Sequence, residues 1–110
     1  MPKFVIMRDP KECQNIQEIR NAIDEIDYQI LAFFGKRHEY VKEIVKFKSD
    51  KDGIVAKDRQ IEVFQKRREW ANTFGLDPEL IEEIYKTLIS WNIQKEMEIL
   101  KSKEKSNIKS

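Results

Sequence analysis

The sequence is short of almost every residue type that announces a function. Its single cysteine, Cys13, cannot form an internal disulfide, and a reducing, cytoplasmic setting fits. A single histidine, His38, leaves no Ser-His-Asp triad and no histidine-rich metal set to build. Three glycines leave no room for a Gly-rich phosphate cradle. No apolar run approaches the length that spans a membrane, and the apolar patch Phe4–Met7 is too brief for a secretory segment. Charge of one sign is missing too. Lysine and arginine total 21 against 20 acidic residues, a net charge of +1, so the broad basic field of a nucleic-acid binder is absent. At 110 residues the chain is expected to make one domain with one modest core.

Helical periodicity is what the sequence does have. Asn15 is a capping residue with Glu18 three positions on, a capping-box spacing. From there Ile19, Ile23, Ile26, Ile30, Phe33, Val41 and Ile44 follow at helical steps, with no proline to stop them. The pattern predicts a first helix of roughly 35 residues, about 50 Å long, ending near Ser49 where SDKDG breaks it. Such a helix is too long for a domain of this size to cover by itself. A second helix is expected from Asp58 as its cap, with Ile61, Phe64, Ala71 and Phe74 on one side and Gly75 as its stop. Asp77-Pro78-Glu79 then reads as a cap, a proline at the first helical position and a carboxylate in the first turn. The third helix is predicted through Ile81, Ile84, Tyr85, Leu88, Ile89, Trp91 and Ile93 to about Leu100. The organisation expected is an N-terminal extension (1–14), a helical domain (15–100) and a polar, disordered tail (101–110). No strand pattern appears after residue 10, so the fold class is all-α. The long first helix and wide apolar faces point to an intertwined homodimer.

Two cations interrupt the apolar rhythm of the first helix. The steps that pass through Ile30, Phe33, Val41 and Ile44 also land on Arg37 and Lys48. On a continuous helix, residues 11 apart lie about 20° from each other, so both would project from one face. Unpaired cations on a buried face cost several kcal/mol, so something anionic should meet them. One reading supplies carboxylates from another helix. The other supplies a small dianion in a pocket inside the bundle, with Arg20 and Arg59 as further candidates to hold it.

The pattern IR-x2-ID-x2-D-x2-I, then R-x2-YVK-x4-FK, then DR, GLD and W-x-I-x2-E resembles the all-helical (type II) chorismate mutase family. Within it the likeness is strongest to the isochorismate pyruvate lyase branch of salicylate and siderophore biosynthesis. It spans about residues 10 to 100 and includes charged as well as apolar positions. The resemblance implies three-helix chains interlocked as a homodimer, each of two sites being built from both subunits. It assigns Arg20 to the partner's site, Arg37 and Lys48 to the long helix and its end, Arg59 to the second helix, and Glu96 to the position near the breaking ether bond.

The substrates so implied are chorismate or isochorismate, each bearing a ring carboxylate and an enolpyruvyl carboxylate. The mutase moves the pyruvyl group by a [3,3] shift to give prephenate. The lyase passes a ring hydrogen to it, releasing pyruvate and leaving salicylate. Neither reaction calls for a cofactor, a metal or a covalent intermediate. Arg37 and Arg20 would clamp carboxylates. Lys48 would face the ether oxygen, where charge grows as the C–O bond breaks. Ile44, Val63 and Ile93 are expected as apolar walls and Asn92, one turn before Glu96, as a carboxylate contact.

Two positions depart from family habit. The lyase branch has glutamine where this chain has Glu96, so Glu96 must carry a proton to donate, or else it pairs with Lys48 or Arg37. Many mutases place a glutamate after the second-helix arginine to hold the ring hydroxyl. Here Gln60 offers an amide and Ala56 nothing polar, which fits the lyase. His38 is expected at the surface or a dimer edge, and Trp70, Trp91 and Tyr40 as packing residues. The SDKDG loop is expected to be able to close over substrate. A non-catalytic helical dimerisation module is the bland alternative, and it would want leucines at positions 37 and 48.

Overall fold

Asn15 begins the first helix as its side chain predicts. In the computed structural model, which describes residues 9–109 and side chains as far as residue 106, Asn15 Oδ1 accepts the Glu18 N–H at 2.9 Å. The Phe4–Met7 patch and most of the N-terminal extension lie outside the described residues. The architecture is all-helical: α1 (Ile16–Ile44), α2 (Lys51–Val55), α3 (Lys57–Thr73) and α4 (Pro78–Lys109), with single 3-10 turns at Pro10–Glu12 and Val45–Phe47. The pattern predicts three long helices; α2 is an addition. The longest is α4, with 32 residues against 29 in α1.

Helix α1 stops at Ile44, short of Ser49. The chain tightens into the 3-10 turn, the Lys48 N–H donating to the Val45 carbonyl at 3.1 Å, and Lys48 itself is extended, with φ −116° and ψ 131°. The 20° offset between Arg37 and Lys48 therefore does not apply, because the helix that would carry it has already ended. The SDKDG stretch, expected as a loop, folds from Lys51 into α2, with Asp50 as its cap. Asp58 is not the cap of α3. That place belongs to Ala56, which caps without a side-chain hydrogen bond and sits in the left-handed region (φ 45°), while Asp58 lies in the first turn. There its charge still favours the positive end of the helix dipole.

The stop and start around Gly75 follow local chemistry. The Leu76 N–H reaches the Ala71 carbonyl at 2.8 Å and the Gly75 N–H that of Asn72 at 3.2 Å, a Schellman closure with Gly75 at φ 72°. Asp77 Oδ1 then accepts the Glu79 N–H at 3.0 Å with Pro78 opening α4. Helix α4 runs nine residues beyond the expected end at Leu100. Without proline or glycine, KSKEKSNIK has nothing to break it, and the stretch expected to be disordered has helical backbone.

The chain divides into two units, one up to Tyr40 and one from Val41 on. Among the described residues every buried side chain belongs to the second unit, whose core is Val45, Ile54 and Leu100, with Ile93, Met97 and Ile99 packed against it. Of the residues expected on one side of this helix, Ala71 is buried and Phe64 half-buried, while Ile61 and Phe74 are 57% and 76% exposed; α3 buries Val63 together with Ala71. Midway between them, Arg67 lays its guanidinium 4.7 Å from the Trp70 ring and 5.3 Å from the Tyr85 ring. Helix α1 buries no residue. No helix is long and apolar enough to cross a membrane among the described residues.

Candidate functional site

Helix α4 buries a stripe that hydrophobic patterning would not choose. Asn92, Glu96 and Leu100, at four-residue steps, are 3%, 5% and 4% exposed, whereas Ile84 and Trp91 of the same helix are each 42% exposed. A buried carboxylate is costly unless something pairs with it. Glu96 has a partner: Lys48 Nζ donates to its Oε1 at 2.8 Å, across 48 residues of sequence. One of the two interrupting cations thus meets a carboxylate of another helix, and Glu96 accepts from Lys48, the pairing alternative expected for it.

Local structure explains how Lys48 gets there. Val45 anchors one side of it in the core and Ile54 the other. Between them the backbone leaves the helical path at Lys48, which frees its side chain to reach α4. Asp50 Oδ1 accepts the Gly53 N–H at 2.8 Å and starts α2, which carries Ile54 inward. Gln60 Nε2 donates to the Val55 carbonyl at 2.7 Å, closing the α2–α3 corner across the left-handed Ala56. The amide of Gln60, a residue expected among the substrate-binding groups, is therefore engaged with the backbone.

The other expected site residues are placed as follows. Ile93 is half-buried against the core cluster, Val63 is buried on α3, and Ile44 is largely exposed at the end of α1. Arg59 is exposed and pairs with Glu62 of its own helix at 2.5 Å, not with a member of the Lys48–Glu96 pair. Arg20, exposed, and Arg37, half-buried, lie on α1 in the first unit. Sequence reasoning missed Asp50, although aspartate is a preferred helix-capping residue. It missed Arg67 for want of any signal in the pattern. An open groove of about 480 Å³ lined by Gln65, Arg68, Glu69, Asn72 and Pro78 holds none of the expected site residues. Among the described residues no group of three or more His, Cys, Asp and Glu is placed to hold a metal.

A buried lysine–glutamate pair occurs in structural cores as well as in active sites, so geometry alone leaves its purpose open. Residues 19–97, which include Arg20, Arg37, Lys48, Arg59, Asn92 and Glu96, match the family model described as chorismate mutase type II. The chain belongs to that family. As a chorismate mutase family enzyme it is 34% identical over 91 residues to the isochorismate pyruvate lyase of Pseudomonas aeruginosa strain PAO1, the match covering 83% of this chain and 90% of that protein. It is also 33% identical over 70 residues to the T-protein of Haemophilus influenzae strain Rd. That second match covers 63% of this chain but 19% of the T-protein, a much longer protein.

Proposed function

We propose that this chorismate mutase family enzyme is an isochorismate pyruvate lyase, with chorismate mutase activity as a secondary reaction. The observation that carries the reading is the family match over residues 19–97, which takes in both members of the Lys48–Glu96 pair, 2.8 Å apart, and buried Asn92. Similarity along 90% of a named lyase supports the lyase over the mutase. So does Gln60: it has no carboxylate for a ring hydroxyl, and its amide N–H is directed to Val55.

In the lyase reaction the C–O bond between ring and enolpyruvyl group breaks. A ring hydrogen passes to the enolpyruvyl methylene carbon, giving pyruvate and an aromatic ring, salicylate. Negative charge gathers on the ether oxygen as that bond lengthens. A partly buried ammonium at Lys48 gains strength there, because little water competes with it. Arg37 and Arg20 clamp the two carboxylates, Arg20 being given by a second copy of the chain. Arg59 and Asn92 complete the polar lining, and Ile44, Val63 and Ile93 the apolar walls. Gln60 stands at the α2–α3 corner, its amide on the Val55 carbonyl.

The homodimer is supported by α1, where Ile16, Ile19, Ile23, Ile26, Ile30 and Phe33 are each at least 42% exposed on one helix. An apolar stripe of this kind is ordinarily covered. In this scheme the Glu96 carboxylate, which accepts from Lys48, competes with the substrate oxygen for the same ammonium.

The test is to give the pure protein isochorismate and chorismate separately. Salicylate fluorescence with matching pyruvate, faster than loss of chorismate absorbance, is the expected result. Faster loss of chorismate, yielding prephenate, would make it mainly a mutase. Turnover of neither would sink both assignments.

A further inference from the structure

Lys48 is held by more than its contact with Glu96. A Cβ placed on Gly53 would lie 3.8 Å from Lys48 Cβ and 3.9 Å from its Cγ, so the bare face of Gly53 borders the lysine stem. The same Cβ would come within 3.3 Å of Asp50 Oδ1. Stem, glycine and capping carboxylate therefore share one small space. Gly53 is in position because Asp50 Oδ1 holds its N–H at 2.8 Å while the Asp50 carbonyl accepts the Ile54 N–H at 3.3 Å. A helix of five residues has no stability of its own, since helix nucleation is unfavourable and propagation here is short. What holds it is the cap at Asp50, the burial of Ile54 and the Gln60–Val55 hydrogen bond at the far end. Asp50 itself is exposed and sits two residues after Lys48.

We infer that Asp50 is a positioning residue for Lys48: by capping α2 it holds Gly53 against the lysine stem and so aims the ammonium at Glu96. The inference rests on the reading of Lys48 as the cation at the breaking ether bond, and it adds a residue that the reaction itself never touches. The carboxylate acts as an acceptor, not as a charge, so an isosteric amide serves equally well.

The experiment compares Asp50→Ala, which removes the acceptor, with Asp50→Asn, which keeps it. Asp50→Ala is expected to lower kcat by about tenfold, since small misplacements of a reacting group are costly, while KM stays within error. Asp50→Asn is expected to restore kcat. In a Lys48→Met/Glu96→Gln background, which leaves no buried charge unpaired, Asp50→Ala should have no further effect, a result that general loosening of the fold would not give. Equal damage from Ala and Asn, an unchanged kcat in Asp50→Ala, or an Asp50 effect that persists without Lys48 would each overturn the inference. Should Asp50→Ala fail to fold, Gly53→Ala applies the same disturbance through its Cβ and should lower kcat in the same manner; full activity there counts against the idea. The NMR shifts of the Lys48 ε-methylene give a readout independent of turnover. They should move toward those of a free lysine in Asp50→Ala and stay put in Asp50→Asn. Unchanged shifts in Asp50→Ala would overturn the positioning role, whereas turnover of neither substrate by the wild type would overturn only the functional reading.

Discussion

Helix α1 and helix α4 treat polarity in opposite ways. Helix α1 carries a ladder of isoleucines and a phenylalanine and buries no residue, whereas α4 buries an asparagine and a glutamate and leaves Ile84 and Trp91 exposed. Both arrangements run against the usual preference for apolar interiors, and each asks for something further. Exposed apolar rungs ask for a protein surface to cover them. A buried carboxylate asks for a cation, and Lys48 supplies it at 2.8 Å. On the proposed reading, α1 is the helix of association and α4 the helix of chemistry.

The comparison breaks most visibly on α1. Ile26→Asp puts a charge in the middle of the exposed ladder and is expected to abolish dimerisation, read by light scattering on a sizing column, and with it nearly all turnover. A dimer that survives the change would remove α1 as the interface. The α4 side is sharpened by Glu96→Gln. The amide can donate where the carboxylate only accepts, and it leaves the Lys48 ammonium to the ether oxygen, so kcat for pyruvate release is expected to stay at or above that of the wild type. A drop of about tenfold or more would mean that the carboxylate itself is needed.

Smaller effects test the frame that carries α4. Gly75, at φ 72°, has open space within 4 Å of where a Cβ would stand, so Gly75→Ala should cost only the left-handed backbone penalty, about 1 kcal/mol by denaturant melt. A cost several times larger would mean that space, not backbone conformation, limits the turn. Arg67→Lys keeps the charge but loses the flat guanidinium that lies near Trp70 and Tyr85, and about 0.5 kcal/mol should go with it. No change in the melt would show that the ring contacts contribute nothing.

Much of the backbone is legible in the sequence because its signals are local. Asn15, Gly75 and Asp77-Pro78 act within a turn of themselves, and each bonds as its type and spacing predict. The end of α1 is not legible: apolar spacing continues through Val45 and gives no warning that the helix tightens into a 3-10 turn there. Helix α2 is shorter than any period that could reveal it. On α3 the pattern places Ala71 inside correctly, but packing against α4 turns Val63 inward and leaves Ile61 exposed. The site divides the same way. Lys48 stands out as a cation in an apolar rhythm, and Glu96 and Asn92 are reached through family likeness, since periodicity by itself would point to Ile84 and Trp91. Nothing in the sequence pattern tells that Lys48 and Glu96 meet, because that contact depends on how the chain turns between Val45 and Ile54.

The central claim, that Lys48 supplies the charge under which the ether bond parts, has a direct test. Removing Lys48 alone would leave a buried carboxylate uncompensated and confuse catalysis with stability. Lys48→Met is therefore made in the Glu96→Gln background and compared with Glu96→Gln alone, by the rate of pyruvate release from isochorismate. The account predicts a loss of about a hundredfold or more in kcat with helicity unchanged; an undiminished rate would contradict it.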